Sequence, residues 1–183
     1  MLADDCSAAV VAFVVLKRHD RLTMYLIDKD TVVELKDIPK HDPGASEPVV
    51  FADDGRVVLA YFLAPPDAGQ IAYVEFLHCR AHLFGSPNDE TLHGHPLYER
   101  GLKPYSIAEV KNSSWIRALE RINSVHPRHD PKRFQLLRHF VLAFHDSMFE
   151  CVAEGFKAST DNGEYKTTSE GLLEFLNRTC RKA

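Results

Sequence analysis

The sequence predicts an α+β fold, in which two or three helices pack on a mostly antiparallel sheet of about eight or nine strands. Three observations support this class. The first hundred residues contain several short apolar segments with no helical periodicity between them, and parallel strands would need a connecting helix between most strands. Two stretches with helical spacing follow in the second half of the chain. No linker or internal repeat divides the sequence, so we expect residues 1–183 to form one domain.

The N-terminal segments predict a meander of strands. Residues 8–16, 22–27 and 31–35 are short runs rich in aliphatic side chains, and such runs between turn residues are typical of β-strands. Residues 37–48 hold three prolines and one glycine, which predicts a loop.

The next segments predict a hairpin, a long strand and a loop. Residues 49–51 and 57–63 flank a polar turn, in which Gly55 is expected to supply a positive φ angle. Residues 71–84 carry apolar side chains on both alternating faces, which is typical of a strand covered on both sides. Residues 85–105 lose this periodicity and are expected to form a long ordered loop.

A helix is expected after residue 112, because Asn112 or Ser113 can cap the free amides of its first turn. Pro127 is expected to end this helix. Its apolar stripe consists of Trp115, Ile116, Leu119 and Ile122.

The last third of the chain predicts a hairpin and a final helix. Residues 134–144 and 148–156 are apolar runs on either side of a polar turn at Asp146. Thr167 and Glu170 form a capping-box pattern, in which each side chain satisfies an amide of the first turn. The expected buried side of this helix consists of Leu172, Leu173, Leu176 and Cys180.

Composition excludes several classes of protein. The chain has 183 residues, 45% of them hydrophobic, with 22 basic and 26 acidic side chains, which excludes a disordered or fibrous chain. No apolar run approaches the roughly 18 residues that span a membrane, and Asp4 and Asp5 stand where a secretory signal would be positively charged. We therefore expect a cytoplasmic protein with no membrane partner. The four cysteines form no CxxC pair, which excludes a zinc ribbon or a thioredoxin motif.

Charge is divided unevenly along the chain. Residues 1–100 carry 9 basic and 16 acidic side chains, whereas residues 101–183 carry 13 and 10. An acidic N-terminal part favours a basic protein partner, such as a nuclease whose active surface attracts phosphate. The net charge of −4 argues against nucleic acid as the partner. The basic side chains that a nucleic-acid surface would use are Arg117, Arg121, Arg128 and Arg133.

The predicted loop at residues 85–105 is the first candidate site. Eight of the ten histidines fall between residues 78 and 145, and a long polar loop held between rigid elements is often functional. We expect it to line the main concavity near the Asp146 turn. The alternative is that His95 and Asn88 only satisfy the loop's own backbone groups. The candidate binding residues are Asn88, Asp89, His93, His95 and Arg100.

A metal centre is the second candidate. His93 and His95 can direct two ring nitrogens at one ion, and His145 can add a third. Such a site would take a divalent transition metal as its cofactor. The competing interpretation gives each histidine a core or helix-capping role, because an HxH pattern also recurs by chance.

If the protein is an enzyme, Asp146 would orient a histidine or complete the coordination, and Glu150 would serve as the general base. The competing interpretation places Glu150 and Glu154 on a solvated stripe of their strand.

Two functions follow from these candidates. The favoured one is a small binding or accessory protein without catalysis, which neutralises or regulates a protein partner as immunity proteins and inhibitors do. It is favoured because GxSxG, GxxxxGK[ST] and HExxH patterns are absent from the chain. The alternative is a metal-dependent hydrolase or lyase that uses the histidine-rich site.

Overall fold

Two antiparallel sheets form the framework of residues 26–180, the part of the chain that this computed structural model describes. The strands are β1 (Thr31–Glu34), β2 (Val49–Ala52), β3 (Val57–Phe62), β4 (Ile71–Leu77), β5 (Ala81–Gly85), β6 (Ile107–Lys111), β7 (Arg138–Ala143), β8 (Met148–Ala153) and β9 (Gly155–Asp161). The α-helices are α1 (Ser114–Asn123), α2 (Lys132–Gln135) and α3 (Thr168–Cys180). Two 3-10 helices span Asp89–Gly94 and Tyr98–Arg100. The predicted α+β class is confirmed.

The strand order is β1-β6-β7-β8-β5 in one sheet and β2-β3-β4-β9 in the other. The chain passes from one sheet to the other at two places. Strand β4 of the four-stranded sheet continues into β5 of the five-stranded sheet, and β8 of the five-stranded sheet continues into β9 of the four-stranded sheet. Within the sheets, β4 pairs with β9 and β5 pairs with β8. The bends lie at residues 78–80, where His78 has a φ angle of +49°, and at Glu154. The prediction of one continuous strand over residues 71–84 is therefore wrong, since its two halves belong to different sheets.

The inner faces of the two sheets enclose the main hydrophobic core. Phe76 on β4 packs against Phe140 on β7 and Phe149 on β8, with ring centroids 5.6 and 5.1 Å apart. Tyr61 and Phe144 meet with centroids 5.5 Å apart. All five side chains are buried, and large aromatic groups contribute most of the apolar area that a core removes from water.

Helices cover the outer faces of both sheets. Helix α3 packs on the four-stranded sheet through Leu172, and Tyr73 stacks on Phe175 with ring centroids 4.4 Å apart. On the five-stranded sheet, Trp115 of α1 packs with Leu137 and with Val152 of β8, and Phe134 of α2 packs against this group. We call residues 89–102, which contain both 3-10 helices, the 3-10 segment. It covers the rest of that face with Leu92, Leu97 and Leu102. The segment predicted as a long loop is thereby fixed against the sheet.

The helix after residue 112 forms as α1. Ser113 is its cap, since its Oγ accepts the Ile116 N–H at 3.2 Å, whereas Asn112 adopts a φ angle of +54°. The helix ends at Asn123, so the prediction that Pro127 ends it is wrong by a full turn.

Two side chains predicted to be buried are exposed. Ile122 is 70% exposed and Leu173 is 64% exposed. Trp115, Ile116 and Leu119 of the first stripe and Leu172 and Leu176 of the second pack on the sheets, so the covered face of each helix is narrower than the apolar spacing implies. The capping box is confirmed in part: Thr167 accepts the Glu170 N–H at 3.2 Å, but the Glu170 carboxylate accepts from Lys166 N–H at 3.0 Å.

Both predicted hairpins form with changed details. In the first, Gly55 does not adopt the expected positive φ angle. Its N–H donates to Asp53 Oδ1 at 2.9 Å, so the side chain of Asp53 shapes the turn. In the second, β7 pairs with β8 around the Asp146 turn. Residues 134–135 belong to α2 and not to the strand, because the strand begins only at Arg138.

The predicted strand at residues 8–16 and most of that at 22–27 lie outside the described residues. Over residues 26–180, the helices are too short or too polar to cross a membrane.

Candidate functional site

Four polar side chains form a connected network on the outer face of the five-stranded sheet. Glu150 on β8 lies at its centre: Oε1 is 2.9 Å from His95 Nε2, and Oε2 is 3.3 Å from His139 Nε2 on β7. His139 Nδ1 lies 2.9 Å from Ser113 Oγ at the start of α1. We call His95, Glu150, His139 and Ser113 the buried polar network.

The hydrogen bonds assign the protons of this network. His95 Nδ1 accepts the Leu97 N–H at 3.2 Å, so the proton of His95 is on Nε2 and faces Glu150. His139 Nε2 also faces this carboxylate and carries a proton. Its Nδ1 then accepts from the Ser113 hydroxyl, which in turn accepts from a helix amide.

Burial and hydrogen bonding act in opposite directions on Glu150. Burial raises its pKa, but the hydrogen bonds from His139 and His95 outweigh burial and lower the pKa to about 2. The solvated-stripe interpretation of Glu150 is wrong, because the residue is only 2% exposed. The adjoining bend turns Glu154 toward His78, 2.7 Å away at the surface.

Ser113 resembles the serine of a hydrolytic triad in its partners but not in its surroundings. Its hydroxyl is occupied by the Ile116 amide, and the residue is 4% exposed. The Ser114 amide, which would have to stabilise an oxyanion, already donates to Asp30 at 2.7 Å. The network therefore joins the 3-10 segment, the sheet and α1, and it does not present a nucleophile.

A second cluster lies at the end of the same sheet, where two loops meet the β7–β8 turn. The Asp89 N–H donates to the His145 carbonyl at 2.9 Å, which fastens the 3-10 segment to the turn. Tyr105 reaches the same point from the strand β6 side, with a φ angle of +59°. We call Asp89, Tyr105, His145 and Asp146 the loop-end cluster.

The side chains of the loop-end cluster contact one another at the surface, where that of Asp89 is 15% exposed and that of His145 is 46% exposed. His145 Nδ1 is 3.0 Å from Asp89 Oδ2, and the Tyr105 hydroxyl donates to the same oxygen and lies 3.1 Å from His145 Nδ1. The Tyr105 and His145 rings are stacked, 6.2 Å apart and inclined by 16°. Asp146 Oδ1 lies 4.0 Å from His145 Nε2, and its side chain is 90% exposed.

Electrostatics in the loop-end cluster follow from these contacts. The Tyr105 hydroxyl, with His145, lowers the pKa of Asp89, and the bond to Asp89 raises the pKa of Tyr105. Asp89 raises the pKa of His145, with smaller contributions from Asp146 and Glu90. At neutral pH the surface around His145 therefore combines two aromatic rings with three carboxylates.

Several cavities border these groups. One of about 440 Å³ lies beside α1 and α2 and includes Ser113 in its lining. The loop-end cluster adjoins a smaller one of about 260 Å³, which Tyr105 lines together with Leu35, His41 and Ile107. Of the predicted loop at residues 85–105, Tyr105 lines the second of these cavities and no residue lines the first.

The other predicted binding residues have local roles. Asn88 Oδ1 caps the first 3-10 helix by accepting the Thr91 N–H at 3.2 Å. His93 Nδ1 lies 3.0 Å from the Glu90 carbonyl oxygen, so its ring serves the loop's own backbone. Arg100 is exposed at the end of the second 3-10 helix.

The three histidines of the metal hypothesis have different partners. His93 contacts its own loop, His95 contacts Glu150, and His145 contacts Asp89. Within residues 26–180, we find no group of three or more histidine, cysteine, aspartate or glutamate side chains arranged to hold a metal ion.

The arginines of the nucleic-acid hypothesis divide into two groups. Arg117 is held by Asp28 and Asp30, at 3.6 and 3.8 Å. Arg121 is exposed, and Arg128 and Arg133 line a separate cavity of about 430 Å³.

Sequence reasoning missed Tyr105 and the pairing of His139 with Glu150. The hairpin register carried a signal for the second: β7 and β8 pair with Val141 opposite Glu150, which places His139 on the same face one diagonal step away. Tyr105 had no comparable signal, because its contacts cross between loops distant in sequence.

Comparisons with models of protein families, with curated proteins and with solved structures found no match.

Proposed function

We propose that the protein binds a protein partner through the loop-end cluster, and that this cluster receives a cationic side chain, arginine or lysine, of the partner. One observation carries the proposal: the exposed, stacked Tyr105–His145 pair lies beside the carboxylates of Asp89 and Asp146.

This combination suits a cation for physical reasons. A guanidinium or ammonium group gains energy over an aromatic face, and more when a carboxylate can accept its hydrogen bonds. Asp146 is free to turn toward a ligand, since its side chain is 90% exposed. Tyrosine is also enriched among residues that dominate binding energy at protein interfaces.

Recognition fits the site better than catalysis does. Asp89 holds His145 Nδ1 as the carboxylate of a catalytic dyad would. However, His145 lies on a turn with 46% of its side chain exposed, and the neighbouring cavity is lined by Tyr105 and not by His145. A general base needs a substrate held within hydrogen-bonding distance, whereas a docking residue needs only an accessible face.

The support of the cluster also favours recognition. Tyr105 and Asp89 are fixed to each other and to the turn before any partner arrives. Little side-chain ordering then remains to be done on binding, which favours affinity.

The test is a titration of the full chain, followed by NMR, with acetyl-Arg-Arg-Arg-amide and with acetyl-Glu-Glu-Glu-amide. We expect the arginine peptide alone to shift the resonances of Tyr105 and His145, and its affinity to fall as salt is added. Asp146→Asn should weaken binding severalfold. Asp54→Asn is the matched control, because Asp54 is an exposed aspartate in a hairpin turn of the other sheet.

Equal weakening by Asp54→Asn and Asp146→Asn would show that only net charge matters and would contradict the proposal. So would shifts confined to residues outside the loop-end cluster.

A further inference from the structure

Two cysteines belong to the same packed group of side chains where the strands pass between the sheets. Cys79 lies in the bend between β4 and β5, and Cys151 lies on β8. The bend is fixed on β8 by the Arg80 N–H, which donates to the Val152 carbonyl at 2.8 Å. Next to this bond, Cys79 packs against the buried core cluster that contains Cys151, and the Cys79 thiol donates to the Ala81 carbonyl at 3.3 Å.

The two thiols differ in accessibility and in chemistry. Cys151 is completely buried and Cys79 is half-buried. Burial raises the pKa of Cys151 well above its usual range, whereas the hydrogen bond from Cys151 lowers the pKa of Cys79. An accessible thiol with increased thiolate character beside a protected one is the arrangement of an attacking and a resolving cysteine.

We propose that Cys79 and Cys151 form a reversible disulfide by exchange with a low-molecular-weight disulfide such as glutathione disulfide. The Cys79 thiolate attacks one sulfur of glutathione disulfide, which forms a mixed disulfide on Cys79 and releases one glutathione thiolate. Cys151 then gives its proton to a thiolate or to solvent and attacks the Cys79 sulfur, which releases the second glutathione. Two thiols are oxidised and one glutathione disulfide is reduced.

Position gives the bond a structural effect. Cys79 belongs to the bend that connects the two sheets, and Cys151 belongs to a central strand of the five-stranded sheet. The disulfide would tie the bend to that strand, so the oxidised protein should unfold at a higher temperature than the reduced one. The inference is independent of the proposed partner binding.

The experiment uses the full chain with Cys6→Ser and Cys180→Ser, which leaves the pair as its only thiols. The folded protein is incubated with glutathione disulfide and mapped by mass spectrometry. We expect a Cys79–Cys151 peptide that dithiothreitol removes. Adding Cys151→Ser should leave glutathione attached to Cys79, and adding Cys79→Ser should leave Cys151 unmodified while the chain stays folded.

Two results would overturn the inference. One is a Cys79–Cys151 peptide that forms only when the protein is unfolded in denaturant. The other is modification of Cys151 in the Cys79→Ser variant at the rate seen with Cys79 present, since Cys151 would then be reached directly.

Discussion

The buried polar network and the loop-end cluster use the same kinds of side chain in opposite surroundings. Each joins histidine, carboxylate and hydroxyl groups by hydrogen bonds. The side chains of His139 and Glu150 are 0% and 2% exposed, whereas those of His145 and Asp146 are 46% and 90% exposed.

This difference determines what each group can do. A buried carboxylate must keep all its partners, because an unpaired charge in the interior is costly. The hydrogen bonds of Glu150 therefore hold the 3-10 segment and, through His139 and Ser113, α1 to the sheet. In the loop-end cluster the side chains of His145 and Asp146 are solvated, so these two can exchange water for a ligand at little cost to the fold.

Replacing the centre of the network should have the largest effect. Glu150→Ala leaves the facing N–H groups of His95 and His139 without their acceptor, and we expect each of the two to cost about 1–3 kcal/mol in the free energy of unfolding. Denaturant unfolding measures it. Glu154→Ala is the control, because its partners are exposed and such pairs contribute about 1 kcal/mol or less. Similar losses for the two variants would contradict the comparison.

Acid should remove part of the same stabilisation. The pKa of Glu150 is lower in the folded chain than in the unfolded one, so its contribution is present above the unfolded value and is lost as the pH falls toward about 2. The loss should be on the order of 3 kcal/mol. The free energy of unfolding, measured between neutral pH and pH 2, should fall less steeply with acid in Glu150→Gln than in the unsubstituted chain. An equally steep fall in both would refute this assignment.

Two histidines that are two positions apart in the sequence provide a finer comparison. His95→Ala removes a donor to Glu150 and should cost about 1–3 kcal/mol. His93→Ala removes an exposed ring bonded only to its own loop and should change stability by about 0.5 kcal/mol or less. Thermal unfolding of the two variants checks this. A larger loss of stability in His93→Ala than in His95→Ala would show that the network does not anchor the loop.

The smallest expected effect lies in the loop-end cluster. Asp89 raises the pKa of His145, so an NMR titration should find His145 above the ordinary histidine value, and Asp89→Asn should bring it down. Stabilisation from this contact is fully present below the ordinary histidine pKa, as long as Asp89 is ionised, and is lost as the pH rises through the raised pKa of His145. Affinity for a cationic peptide should increase over the same interval, as His145 loses its charge.

The sequence predicted the sheet better than it predicted the sites. Apolar runs, turn residues and helix caps are local signals, so the α+β class and the hairpin around Asp146 could be predicted. The split of residues 71–84 between two sheets could not, because both halves have the same alternating pattern and only the positive φ at His78 separates them.

The sites depend on contacts between distant segments. His95 and Glu150 are 55 positions apart, and their residue types alone favoured a solvated stripe for Glu150 and offered a metal site for His95. Proximity in sequence suggested that His93 and His95 would act together, whereas the 3-10 turn sends one ring to its own backbone and the other beneath the loop.

The most direct test is one histidine-ring NMR spectrum of the full chain, recorded with and without acetyl-Arg-Arg-Arg-amide. We predict that the His145 ring resonances move on addition of the peptide, while those of His95 and His139 stay in place and show the tautomer protonated on Nε2. Movement of the His95 or His139 signals with an unmoved His145 would contradict the division between a structural network and an exposed recognition cluster.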